Sequence, residues 1–364
     1  MTGFIAAALS ASLLAPMQPG PNAVGFKMVV EVDATRPALP PGTGDGRPIP
    51  IAIWYPAVKP SGTPMRLRDY IVAGDTARIG VPNADAGAPV AAFISDAQQR
   101  GVAASDLAAL VETPVLARSD ARPAAGRFPL VLFAHASVET ESVTAEYLAS
   151  YGYVVAGVRS RGAADVEYRL NRANLVAVTA DLDVAATRMK REPDVRGGAI
   201  AVIGMSNGAI AAVALQLERQ DIGAIVSLDG TIGENAGGVY LTERSGGDVG
   251  RFSAPILHLY TPDNDFLNLD YLRGFNASPR VLVAIPELRH RDFLAYAAFD
   301  HAVPQFSGAP FSERVQAGFV WVNRYALHFI DASLRGSRHG AAFLRTDPSA
   351  QGVPSGLMEI ERPR

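Results

Sequence analysis

A chain of 364 residues, 48% hydrophobic and with a net charge of −3, has enough apolar material for a large core and no basic excess with which to hold nucleic acid. It contains no cysteine, which excludes disulfides, thiolate metal sites and a cysteine nucleophile together, so any covalent catalyst must be a hydroxyl. The length suits one large α/β domain or two smaller ones.

The apolar string FIAAALSASLLA at 4–15 has the length of a signal-peptide core, is too short to span a bilayer, and runs into the loop-like PMQPGP at 16–21. No Lys or Arg precedes it. Residues 1–21 therefore read either as an export signal, giving a periplasmic or secreted protein, or as an N-terminal helix and linker on a cytoplasmic one. No other apolar run is long enough for a membrane span. Residues 26–32 (FKMVVEV) and 49–54 (IPIAIW) read as two strands of a hairpin. The GTGDG at 42–46 between them enters a strand instead of a helix, so those glycines are turn residues and not a dinucleotide fingerprint. Residues 59–127, rich in Pro, Gly and Ala, form an insertion with helices at 90–99 and 104–111 that covers a site or decorates an edge.

The body opens at 128–134, where FPLVLFA has no polar alternation and predicts a strand buried on both faces. A helix at 142–150, a second buried strand at 153–158 and a helix at 171–190 follow. The latter carries Leu175, Val178, Leu182, Ala185 and Met189 as one stripe. Further apolar strands fall at 200–203, 224–228, 256–260 and 281–285, and a long amphipathic helix occupies 312–334, leaving a polar, turn-rich tail at 336–364. Such alternation predicts a single domain over 22–335 with a mostly parallel sheet covered by helices on both faces.

Residues 199–212 are the stretch on which a function can be argued. The run Ile200-Ala201-Val202-Ile203 enters Gly204-Met205-Ser206-Asn207-Gly208 and leaves as an Ala-rich helix. G-x-S-x-G between a strand and a helix places the serine hydroxyl on a strained corner above the sheet, with the helix N-terminus aimed at the developing oxyanion. A serine is a weak nucleophile and needs a base and an orienting carboxylate. Of six histidines, His290 follows the strand at 281–285 on the expected rim, and His301 is the reserve. His258 lies within a strand, His328 and His339 in or after the closing helix, and His135 organises a loop. The carboxylate is Asp229, directly after the strand at 224–228, or Asp263 or Asp265 after the next; position alone leaves these open.

Ser, Asp, His in that order with G-x-S-x-G resembles the α/β-hydrolase fold. The segments FPLVLFAH at 128–135, YLASYGYVV at 147–155 and IAIWYPA at 51–57 are similar to those of platelet-activating-factor acetylhydrolases and dienelactone-hydrolase-like esterases. The resemblance implies Asp229 as the acid, within Ser227-Leu228-Asp229, and His290 as the base, within His290-Arg291-Asp292-Phe293. It also implies an oxyanion hole of the Asn207 and Ser137 backbone N–H groups. One departure is His135-Ala136 where the family has His-Gly, which restricts a positive φ in the oxyanion loop. The expected activity is hydrolysis of a small carboxylic ester, short-chain or lipid-like, through an acyl-enzyme, with no metal or organic cofactor. A peptidase or amidase on the same triad and a catalytically silent binding protein are the alternatives. Arg159 and Arg161, on the same rim, face either solvent or an anionic group of the substrate.

Overall fold

The computed structural model describes residues 13–14, 17–42, 44–59, 61–82, 84–134 and 137–363. The strands are β1 (Ala23–Asp33), β2 (Arg47–Ala57), β3 (Thr63–Arg66), β4 (Pro114–Ser119), β5 (Leu130–Ala134), β6 (Val154–Val158), β7 (Ile200–Met205), β8 (Ile222–Leu228), β9 (Ile256–Tyr260), β10 (Arg280–Ala284) and β11 (Glu359–Glu361). They form one sheet in the order β11-β10-β9-β8-β7-β5-β6-β2-β1-β4-β3. From β6 to β10 all neighbours are parallel. The hairpin β1–β2 is antiparallel and joins this block through an antiparallel β2–β6 pairing. This is the mostly parallel sheet expected.

Both faces of the central strands are covered, which is why their sequences lack alternation. On β5, Val131 and Phe133 enter one core, while Leu130, Leu132 and Ala134 enter the other. The first core is closed by the helices Val138–Ser150 and Glu313–Arg335, the second by Arg172–Met189 and Gly208–Ala214. Two of these helices start where their caps dictate: the Asn171 side chain accepts from the Asn174 N–H, and the Ser312 hydroxyl from the Val315 N–H.

Three features differ from the sequence-based expectation. The segment 59–127 holds a third helix, Leu67–Ile79, and contributes β3 and β4, which extend the sheet beyond β1. The helix was hidden by the Ala/Gly texture of the segment, yet Leu67, Tyr70, Ile71, Gly74 and Ala77 follow a helical stripe and are buried. Its Tyr70 hydroxyl donates to Glu146 Oε1 at 2.7 Å and accepts from Trp54 Nε1 at 2.8 Å, and the same Oε1 accepts from the Ala117 N–H of β4 at 2.8 Å. The buried Glu146 thus stitches helix and edge strand to the body. The third difference is 336–364, read as a turn-rich tail. It folds into the helix Arg338–Arg345 and the edge strand β11, paired antiparallel with β10. A strand of three residues is too short to declare itself in sequence, since its pairing partner lies far away in the chain.

Residues 1–12, 15 and 16 fall outside the described set, and with them most of the proposed export signal. The described Leu13, Leu14 and Met17 are buried against the first core. No helix among the described residues is long and apolar enough to cross a membrane.

Candidate active site

The strand β7 ends at Met205, and Ser206 turns the chain with φ +53°, a left-handed conformation that a serine adopts only under constraint. The constraint is a set of backbone bonds. The Ser206 N–H donates to Leu228 O at 3.1 Å, and its own carbonyl accepts from the Ala209 and Thr231 N–H groups, each at 3.1 Å. A Cβ on Gly204 would lie 2.5 Å from the Ala209 backbone, so only glycine lets strand and helix close this tightly. The helix Gly208–Ala214 follows, with Asn207 as its N-cap residue.

One strand further on, β8 ends at Leu228 and Asp229 takes φ +42°, a second left-handed non-glycine corner. Its N–H donates to Leu259 O at 2.7 Å, and its Oδ1 accepts from the Thr261 N–H at 2.9 Å. That leaves Oδ2 for His290, whose Nδ1 lies 2.6 Å away, within charge-assisted range. The carboxylate side chain is 5% exposed and the imidazole 55% exposed, so the anion is held inside while the ring's far edge faces the cleft. The fold therefore brings His290 to Asp229. Asp263 and Asp265 lie on the same rim, exposed and without a bond to the imidazole. His301 sits exposed in the helix Tyr296–Ala302, its ring 5.5 Å from Phe311.

Ser206, Asn207, Asp229 and His290 line a cleft of about 590 Å³, walled by Thr261, Glu234 and the 263–266 loop with its 72%-exposed Phe266. None of the described lining residues belongs to 59–127. The Asn207 N–H, at the helix N-terminus, makes no hydrogen bond among the described residues. Ser137 behaves differently. It caps the helix Val138–Ser150 and its N–H donates to Thr140 Oγ1 at 3.2 Å, so this amide must release Thr140 before it can receive an oxyanion. His135 and Ala136, where the loop departs from the resembled family, lie outside the described residues.

Several supports were not legible in sequence. Arg289 and Asp292 hold the single turn His290–Phe293: the fully buried Asp292 accepts the Arg289 N–H at 2.9 Å and its guanidinium at 2.8 Å on each oxygen. An Arg three residues before an Asp is too common a pattern to flag this. Beneath Asp229, the buried His258 shares a 2.9 Å hydrogen bond between Nδ1 and Ser227 Oγ, and burial pushes its imidazole down to about 4, so it is neutral and adds no charge to the site. Gly230 is packed so closely that a Cβ would strike Ser227 Oγ and Ala209 Cβ. No group of three or more His, Asp or Glu side chains among the described residues is arranged to hold a metal ion.

No protein-family profile and no curated protein sequence matches this chain. Among solved structures it is similar to a ferulic acid esterase from Streptomyces cinnamoneus. The TM-score is 0.64 at 20% identity, over 97% of this chain and 99% of that one. The sheet, its two helical layers and this full-length likeness define the chain as an α/β-hydrolase fold.

Proposed function

We propose that the protein is a serine hydrolase of carboxylic esters, working through an acyl-enzyme. The observation that carries this reading is the 2.6 Å Asp229–His290 pair, which shares one cleft with a serine on a left-handed strand-to-helix corner. The likeness to an esterase of known structure supports the same class of reaction. Asp229 keeps the proton on His290 Nδ1, leaving Nε2 as the base that takes the Ser206 proton. The alkoxide attacks the ester carbonyl, and the oxyanion receives the Asn207 N–H and, after exchange with Thr140, that of Ser137. The imidazolium, stabilised by Asp229, protonates the departing alcohol. Water then repeats the sequence on the acyl-serine and releases the acid. The acyl-transfer groups come from the chain itself, and the segments at 128–135 and 227–229 favour the acetylhydrolase-like branch of esterases over a peptidase.

Ser206→Ala is expected to lower kcat on a p-nitrophenyl ester by about 10⁴-fold or more, and a fluorophosphonate probe is expected to label the wild type and not the variant. Ester hydrolysis at near wild-type rate by the variant overturns the proposal. An unlabelled wild type with a bound ligand would instead mark a silent hydrolase fold.

A further inference from the structure

A second cleft, of about 440 Å³, is lined in part by Asn207 but not by His290. It meets the first at Asn207 and Leu170, which line both. Its floor contains Arg159 and Ser160, the two residues that follow β6, and its walls include Ser137, Tyr296 and Leu294. Arg159 has no hydrogen bond or ion pair among the described residues. Ser160 is 6% exposed, and its Oγ is buried without a partner. A cation and an orphaned hydroxyl side by side at the end of a strand are an uncompleted anion site, because each is stabilised by an acceptor and none among the described residues hydrogen-bonds to either.

The surroundings bear on this in three ways. Glu139 and Glu141 are charge neighbours of Arg159: burial pushes both carboxyls up, the guanidinium draws both down, and neither makes a hydrogen bond to Arg159 among the described residues. Among the described lining residues Glu167 is the one carboxylate, and it is paired with Arg78 at 3.5 Å. The first cleft is charged the opposite way, with Glu234, Asp263 and Asp265 along it, Glu287 paired with Arg314 at 2.7 Å and Arg289 committed to Asp292. An anionic substrate end is repelled there and accepted at Arg159.

Resting on the esterase reading, the chemistry then decides which half of the ester carries the charge. The leaving oxygen must face His290 to be protonated, and the oxyanion faces Asn207, so the remaining substituent of the tetrahedral carbon, the acyl chain, runs into the second cleft. We propose that Arg159 and Ser160 bind a carboxylate at the end of the acyl chain, which makes half-esters of dicarboxylic acids the preferred substrate class. Arg159 is in this role a specificity residue and takes no part in the acyl transfer.

The test compares monoethyl succinate, glutarate and adipate with the neutral ethyl esters of equal acyl length. The best half-ester is expected to exceed its neutral counterpart in kcat/KM by about tenfold or more, the factor of one charge-assisted hydrogen bond. Arg159→Ala is expected to bring that ratio to about 1 and Arg159→Lys to retain part of it, whereas a merely structural role would lower both substrates together and leave the ratio intact. Monoethyl glutarate titrated calorimetrically into Ser206→Ala protein, with and without Arg159→Ala, reads the same subsite without turnover. Neutral esters hydrolysed with no half-ester preference overturn the subsite and leave the esterase standing. Half-ester binding that needs Arg159 in a protein that hydrolyses no ester overturns the esterase and leaves the subsite standing.

Discussion

Asp229→Asn tests the proposed division of labour most directly, because the two oxygens of Asp229 have different partners. Oδ1 accepts the Thr261 N–H at 2.9 Å and Oδ2 meets His290 Nδ1 at 2.6 Å. Asparagine keeps one acceptor. If that oxygen stays on Thr261, the new NH₂ faces Nδ1 as a donor and forces the imidazole into the tautomer protonated at Nε2, which cannot take a proton from Ser206. If the amide flips, two donors oppose each other at Thr261 in a site that is 5% exposed, and the buried N–H loses about 1–3 kcal/mol. The first orientation is therefore expected to dominate. A wrong tautomer at this position costs about 10⁴-fold in kcat, or about 5.5 kcal/mol of barrier. The assay is kcat on a p-nitrophenyl ester at neutral pH, with circular dichroism to verify folding and Asp263→Asn as the parallel variant, expected within a few-fold of wild type. A folded Asp229→Asn enzyme within tenfold of wild type, or an Asp263→Asn enzyme that loses more, refutes the reasoning.

Two further predictions concern the scaffold. Arg47 Nε and Nη2 clamp Asp181 at 2.8 and 2.7 Å with both side chains 2% exposed, and Arg47 Nη1 also holds Gly162 O at 2.9 Å beside the loop that borders the second cleft. Asp181→Ala strands a buried guanidinium and is expected to cost about 3–5 kcal/mol, read as a lower denaturant midpoint and a Tm lower by roughly 5 °C; an unchanged Tm excludes a structural role for the pair. Burial raises the Glu146 carboxyl from 4.5 to about 7, outweighing the stabilising bonds from Tyr70, Ala117 and Leu116. Between those values the folded chain holds a proton that the unfolded chain has lost, so this group's contribution to stability is complete below pH 4.5 and falls by about 3 kcal/mol as pH rises to 7. Glu146→Gln is expected to flatten that part of the pH–stability curve. Parallel curves for variant and wild type overturn it.

How much of this was present in the sequence differs from element to element. The strands β5 to β10 and the helices Arg172–Met189 and Glu313–Arg335 announce themselves, because burial on both faces demands unbroken apolar runs and burial on one demands a helical stripe. The corner at Ser206 was legible for a related reason: a reversal in which a Cβ at 204 would strike the backbone at 209 leaves glycine as the only choice, and the glycines are visible. The edges were not. The strands β3, β4 and β11 take their stability from partners distant in the chain, and nothing local distinguishes them from loop.

The same division runs through the site. Residue order alone offered three acids for one histidine, since Asp229, Asp263 and Asp265 all follow strands on one rim. A resemblance to known esterases implied Asp229, but which carboxylate touches the imidazole depends on where the turn His290–Phe293 sits, and that turn is positioned by Arg289 clamped to a buried Asp292. The Ser137 amide occupied by Thr140, and the Ser160 hydroxyl and Arg159 guanidinium that find no hydrogen-bond partner among the described residues, are likewise facts about what surrounds a group. The sequence by itself determined the layers, the corner and the residue types available for chemistry, because those follow from periodicity and from the steric needs of single positions. Only the tertiary structure decided which of these groups meet and which are left without a partner, because a hydrogen bond or charge pair depends on where packing places both side chains, whether they lie three positions apart, as Arg289 and Asp292, or 61, as Asp229 and His290.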